Sequence, residues 1–274
     1  MSRHILAHLS RADAVLGGLI RAVGPCRLSA QADGHPFQIL ARAIAHQQLN
    51  GTAANTILKR LVDSVGAGGF PTPEQVTAAS PESLRAAGFS FAKVAALRDL
   101  AEKTIAGLVP DAATLRELSD EEIIARLTQV RGIGRWTVEM LLVFHLGRPD
   151  VLPVDDFGVR SGFQAAYGLS RLPRPRALAA WGERWKPYRT TAAWYLWRAL
   201  ELKRAGKLPA PAERIRLPRI RRARRSVPRK PRAKVRARAL RSAGTSSAPL
   251  RRSDARRRSR PRRARRSRAP GSRK

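Results

Sequence analysis

The chain has 274 residues, 54 of them Lys or Arg against 20 Asp or Glu, and its net charge of +34 is unevenly placed: residues 1–210 hold 27 basic and 18 acidic side chains (+9), residues 211–274 hold 27 and 2 (+25). Cys26 is the only cysteine, which excludes an intramolecular disulfide and any four-cysteine zinc or iron-sulfur site. No run approaches the ~18 consecutive apolar residues of a bilayer-spanning helix, and Arg3, His4, Arg11 and Asp13 stand where a secretory signal is apolar, so a soluble intracellular protein is expected.

Along the chain, apolar residues recur at helical spacing from about residue 5 to 205, with no alternating run that would make a strand, which predicts an all-α fold. Helices are expected over Ala12–Val23, Pro36–Gln47, Gly51–Val65, Pro73–Ala79, Pro81–Ala87 and Phe91–Ala106. Thr72 before Pro73, with Glu74 and Gln75 behind it, and Ser80 before Pro81 and Glu82 are cap-then-proline starts. Ser119-Asp120-Glu121-Glu122 opens the next helix, to about Thr128, with carboxylates at its positive end. A Gly132-Ile133-Gly134 turn then leads into a helix from Arg135 to about Leu146. A loop through Gly147, Pro149 and Pro153 follows, and a further helix begins at Asp155-Asp156. The last ordered elements are Pro175–Gly182 and Tyr188–Ala205, the latter with Trp194, Tyr195 and Trp197. Residues 206–274 are Arg, Ala, Pro and Ser with few large apolar side chains, too few to offset chain entropy, so a disordered tail is expected. Its clustered guanidinium groups suit a polyanion, although a solubilising or targeting segment has the same composition.

The residues with chemical content are Arg131-Gly132-Ile133-Gly134-Arg135-Trp136-Thr137 and Leu152-Pro153-Val154-Asp155-Asp156-Phe157-Gly158-Val159. Two glycines let the backbone come close to a phosphate, the following helix points its N-terminal amides at it, and the acid pair adds a carboxylate beside that anchor. A Gly-x-Gly between helices is by itself a common turn, and an acid before a helix a common cap. The order and spacing of further segments make the pattern specific: Arg42-Ala43-Ile44-Ala45-His46-Gln47-Gln48-Leu49, Gly88-Phe89-Ser90 with Lys93 and Leu97, and Glu183-Arg184-Trp185-Lys186-Pro187-Tyr188-Arg189.

Over about residues 30–202 these segments together resemble the helix-hairpin-helix DNA glycosylase superfamily, nearest its 3-methyladenine DNA glycosylase II branch. The resemblance implies one glycosylase domain over 1–205 made of two helical subdomains with a cleft between them, the hairpin (about 120–146) on one lip. It implies a monofunctional enzyme that hydrolyses the N-glycosidic bond of alkylated purines, 3-methyladenine and related bases, in duplex DNA by base flipping in base excision repair. The implied partner is double-stranded DNA containing such bases, engaged by a monomer with no membrane, in the cytoplasm of a bacterium or the nucleus of a eukaryote. A non-catalytic architectural DNA-binding protein and a glycosylase for other damaged bases are the alternatives. Acids near phosphates count against the first.

The resemblance places a catalytic aspartate at Asp155-Asp156. The family's pattern of acid, large apolar, small and β-branched residues fits Asp156-Phe157-Gly158-Val159 and makes Asp156 the expected catalytic acid, with Asp155, favoured by counting forward from Pro153, as the alternative. That carboxylate would stabilise positive charge developing on the sugar as the base leaves. Lyase-type members carry a nucleophilic lysine two residues after the second hairpin glycine, and this chain has Trp136 there. Trp136, Met140 and Trp197 are the implied base pocket, with Trp197 stacked on the extruded base and Met140 replacing a tyrosine of some relatives. Gln48 is the implied wedge filling the gap left by the base, and Gly132, Gly134, Arg135 and Thr137 the contacts to the DNA backbone. The backbone carbonyls of Thr128, Val130 and Ile133 are the implied ligands of a structural monovalent cation. No other cofactor is expected, and the five histidines form no metal-ligand pattern.

Overall fold

In a computed structural model, the described residues are 3–31 and 34–212 together with Ile215 and Leu217, and every regular element among them is helical. They are α1 (Arg3–Ala12), α2 (Ala14–Val23), α3 (Pro36–His46), α4 (Gly51–Val65), α5 (Pro73–Ala78), α6 (Pro81–Ala86), α7 (Phe91–Ile105), α8 (Ala112–Glu117), α9 (Asp120–Leu127), α10 (Arg135–Phe144), α11 (Phe157–Ala166), α12 (Pro175–Gly182) and α13 (Arg189–Arg204), with a 3₁₀ turn at Glu183–Trp185. No described helix is long and apolar enough to cross a membrane.

The caps legible in the sequence act as expected. Thr72 and Ser119 each form a capping box, with Gln75 and Glu122 reaching back to the cap amide, and Ser80 accepts from the Ser83 amide. Two helices escaped the sequence reading. Arg3–Ala12 stands before the expected first helix, which starts instead at Ala14 because Asp13 breaks the run and caps α2 through the Leu16 amide. The short α8 is opened by Asp111, whose carboxylate accepts from the Thr114 amide.

The helices bury two hydrophobic cores. One takes Phe37 to Val151 and so unites α3 to α10, while the other joins α1 and α2 to α11, α12 and α13. Fully buried side chains such as Leu40, Leu97 and Phe163 each contribute roughly 1.5–3 kcal/mol by leaving water. Leu28 and Trp197 pack against both cores, at the seam where the chain passes from α10 to α11. There α11 and α13 cross backbone to backbone. A Cβ on Gly162 would lie 1.8 Å from the Leu196 carbonyl oxygen, so only glycine permits the crossing that sets Trp197 beside the start of α11.

Of the tail expected from residue 206, the described residues Leu208, Ile215 and Leu217 pack against the second core. Apolar residues spaced through an otherwise basic segment give it something to bury. Residues 218–274, which hold most of the predicted tail, lie outside the described residues.

Candidate functional site

The turn between α9 and α10 is built around Gly132, whose φ of +78° is a left-handed conformation, and a Cβ there would approach that of Ala96 on α7 to 3.2 Å. Gly134 differs. It caps α10 with ordinary backbone angles, no side chain among the described residues caps the first amides of that helix, and open space surrounds the place a Cβ would take. The protein's own packing therefore does not require glycine at 134, and the N-terminal amides of α10, left without a side-chain cap, are suited to an anion.

Asp156 stands across from this helix end, as the N-cap of α11. Its Oδ1 accepts from the Val159 amide (2.7 Å) and from the Trp197 indole N–H (2.8 Å), and its Oδ2 accepts from the Trp136 indole N–H (2.8 Å). Gly158 admits Trp197 to this position, since a Cβ there would lie 2.9 Å from the indole Cδ1. Asp155 is exposed and makes none of these bonds. Of the adjacent acids, the geometry thus singles out Asp156, which both caps the helix and faces the hairpin.

Trp136 is 47% exposed and links the carboxylate to a cavity of about 550 Å³. Ile39, Ala43 and His46 of α3 line one side of it, with Gln47 and Gln48 beyond, and Trp136, Met140 and Phe144 line the other. The last three recur every fourth residue along α10 and so share one face. Phe144 was missed by the sequence reading, although that spacing from Trp136 could have found it. Trp197 departs from expectation. It is not among the cavity's lining residues; its ring stacks on Phe144 with centroids 5.6 Å apart, and its N–H is spent on Asp156. The indole therefore backs the cavity wall and orients the acid.

Two of the expected DNA contacts have their side chains engaged within the protein. Arg135 donates to both carboxylate oxygens of Glu121 (2.6 and 3.0 Å) and through Nε to Glu139 (3.0 Å), so its guanidinium joins α9 to α10 across the hairpin. Thr137 is buried at the cavity's inner side. Gln48 is exposed at φ +58° in the loop after α3, followed by the half-exposed Leu49, and its neighbour Gln47 donates from Nε2 to the Gly132 carbonyl at 2.8 Å. Thr128 ends α9, and the Val130 carbonyl already accepts from the Ile133 amide at 3.1 Å, so the three carbonyls named for a cation belong to one tight turn.

Glu139, 4% exposed, is the one buried acid of α10, and its carboxyl is pushed up to about 7. Burial raises it, and the hydrogen bond and charge of Arg135 only partly offset this, while Asp155 and Glu121 add to it. The folded chain thus holds this proton more tightly than the unfolded one. The resulting stabilisation is complete below about 4.5 and is lost as pH rises through about 7. In urea melts, Glu139→Gln is expected to gain stability relative to wild type by roughly 2 kcal/mol on going from about pH 5 to about pH 7.5. Parallel pH curves for the two proteins would show that the buried charge carries no such penalty.

A family model described as HhH-GPD superfamily base excision DNA repair protein matches residues 41–187. DNA-3-methyladenine glycosylase 1 of Schizosaccharomyces pombe is 43% identical over 196 residues, covering 71% of this chain and 86% of that protein. Among solved structures, the Schizosaccharomyces pombe 3-methyladenine DNA glycosylase in complex with abasic DNA superposes with a TM-score of 0.64 at 43% identity, over 71% of this chain and 95% of that one. A DNA-3-methyladenine glycosidase from Bacillus halodurans gives a TM-score of 0.67 at 35% identity, over 73% and 91%.

Proposed function

The chain belongs to the HhH-GPD superfamily of base excision DNA repair proteins, and from that premise we propose that it is a monofunctional DNA-3-methyladenine glycosylase of the type II branch, acting on alkylated purines in duplex DNA. The observation that carries this reading is Asp156, pinned by two indole N–H groups, one of them from Trp136, which also lines an apolar cavity beside the hairpin. The uncapped amides at the start of α10 hold a phosphate of the damaged strand, and the nucleotide turns out of the stack so that its base enters the cavity against Trp136. A purine alkylated at N3 or N7 is cationic, and the face of an indole favours it over a neutral base by about 1–2 kcal/mol.

In the reaction, the bond between C1′ and the purine nitrogen breaks with its electron pair going to the base, which leaves neutral. Positive charge then develops on the sugar, where the fixed carboxylate of Asp156 stabilises it. Water adds to C1′ and gives up a proton, leaving an abasic site in an uncut strand. Trp136 offers no amine, so no Schiff base forms. Cleavage itself requires no cofactor. The carbonyls of Thr128, Val130 and Ile133 would supply the hard oxygen donors suited to a monovalent cation, whose positive charge would favour an anion at the hairpin.

The reading also makes the protein a DNA-associated monomer. It is tested by incubating the full chain with methylated duplex DNA and measuring free bases by chromatography, alongside borohydride treatment of the mixture. Release of 3-methyladenine without a trapped protein–DNA adduct is expected. No release, or a covalent adduct, would overturn it.

A further inference from the structure

One helix holds both the hairpin turn, which the proposed function assigns to DNA, and the loop after α3 with Gln48, the wedge that the family resemblance implies. On α7, Lys93, Ala96, Asp99 and Lys103 follow one another at intervals of three or four residues, which places them along a single face. Lys93 donates from Nζ to the Ala45 carbonyl (2.8 Å), closing the C-terminal end of α3 just before Gln47 and Gln48. Ala96 lies directly beneath Gly132. Asp99 accepts the Arg131 amide (2.7 Å) and the Lys103 ammonium (2.8 Å) on the same Oδ2, and Lys103 in turn donates to the Gln129 carbonyl (2.6 Å). Gln47 completes the frame by donating to the Gly132 carbonyl, a direct strut from the wedge loop to the hairpin.

We propose that α7 is the positioning element of the DNA grip: Lys93, Asp99 and Lys103 hold the wedge loop and the hairpin turn at a fixed separation, and so set how tightly the duplex is held rather than how fast the glycosidic bond breaks. Backbone groups that are already fixed need no ordering when DNA arrives, and that saving appears as affinity. The clamp is charge-assisted at both loops and only partly exposed, the geometry in which such bonds are strong. Burial opposes ionisation of Asp99, but the Arg131 amide and the Lys103 ammonium together outweigh it and hold the carboxyl below its ordinary value. None of these three side chains is among those lining the cavity, and none bonds to Asp156.

The inference rests on the glycosylase reading, and the experiment separates the two. Full-length wild type, Asp99→Ala, Lys103→Met and Lys103→Arg are titrated against a duplex containing a stable abasic-site analogue. Each is then assayed for single-turnover release of 3-methyladenine at saturating protein, with urea melts in parallel. Asp99→Ala and Lys103→Met are expected to raise Kd by about tenfold while the saturated rate stays within about twofold, and Lys103→Arg to restore most of the affinity. Kd values equal to wild type, or a saturated rate that falls as far as the affinity, would overturn the assignment while leaving the enzyme reading intact. A wild-type protein that neither binds the duplex nor releases base would sink both.

Discussion

Asp156→Asn lowers single-turnover release of alkylated base by about 10²- to 10³-fold, the loss typical when a fixed group facing developing charge is neutralised. Affinity for a duplex with an abasic-site analogue changes little. The effect has two sources that the geometry separates. The carboxylate accepts three hydrogen bonds shared over two oxygens, from Val159, Trp197 and Trp136. Asparagine has one oxygen, so its amide N–H must face an indole N–H donor, and the bond to one tryptophan is lost along with the charge. Trp197→Phe removes one donor but keeps both the negative charge and a ring against Phe144, so its rate falls between wild type and Asp156→Asn. Asp155→Asn, at the exposed neighbour without these bonds, leaves release near the wild-type rate. The measurement is chromatographic quantification of freed base with protein in excess. Equal release by wild type and Asp156→Asn would remove Asp156 from the chemistry.

The parts of this site that a reader of the sequence can see are those set by local rules. Ser and Thr ahead of proline or of an acidic turn start helices wherever they fall, so α5, α6 and α9 sit where their caps put them. Gly132 marks the hairpin because a turn between two helices at that spacing needs a left-handed residue, whereas Gly134 enters α10 with ordinary backbone angles and open space around it. The position of Trp197 is not local. It depends on α11 and α13 touching at Gly162 and Leu196, and on Gly158 leaving room for an indole, which together turn an expected stacking surface into a donor for Asp156. The partner of Arg135 is not local either: Glu121, fourteen residues earlier, receives its guanidinium. Phe144 was legible in principle, being eight residues after Trp136 on the same helical face, but a buried core face has the same periodicity.

The largest expected effect on stability lies far from that site, at Asp13. Its carboxylate is 3% exposed, and its Oδ1 accepts the Leu16 amide (3.1 Å), while Oδ2 gathers the Tyr167 hydroxyl (2.6 Å), the Trp181 indole (3.1 Å) and the Trp185 indole (3.0 Å). One side chain thereby ties the start of α2 to the end of α11, to α12 and to the 3₁₀ turn after it, elements more than 150 residues away in sequence. Neutral N–H and O–H donors replace the water that the charge gave up, which makes the arrangement tolerable only while all of them are present. Asp13→Ala leaves a hydroxyl and two indole N–H groups buried without an acceptor and uncaps α2, a combined loss of about 3–5 kcal/mol in urea melts near pH 7. For a domain of this size that corresponds to a fall in Tm of roughly 10 °C. Asp13→Asn costs less, because its one oxygen can still accept from Tyr167, Trp181 and Trp185 while its amide N–H opposes only the Leu16 amide and uncaps α2, and Tyr167→Phe removes one donor and costs about 1 kcal/mol. A loss under about 1 kcal/mol for Asp13→Ala would mean that water enters to satisfy the orphaned donors, and that the aromatic cluster of Phe163, Tyr167, Trp181 and Trp185 holds the second core together by packing alone.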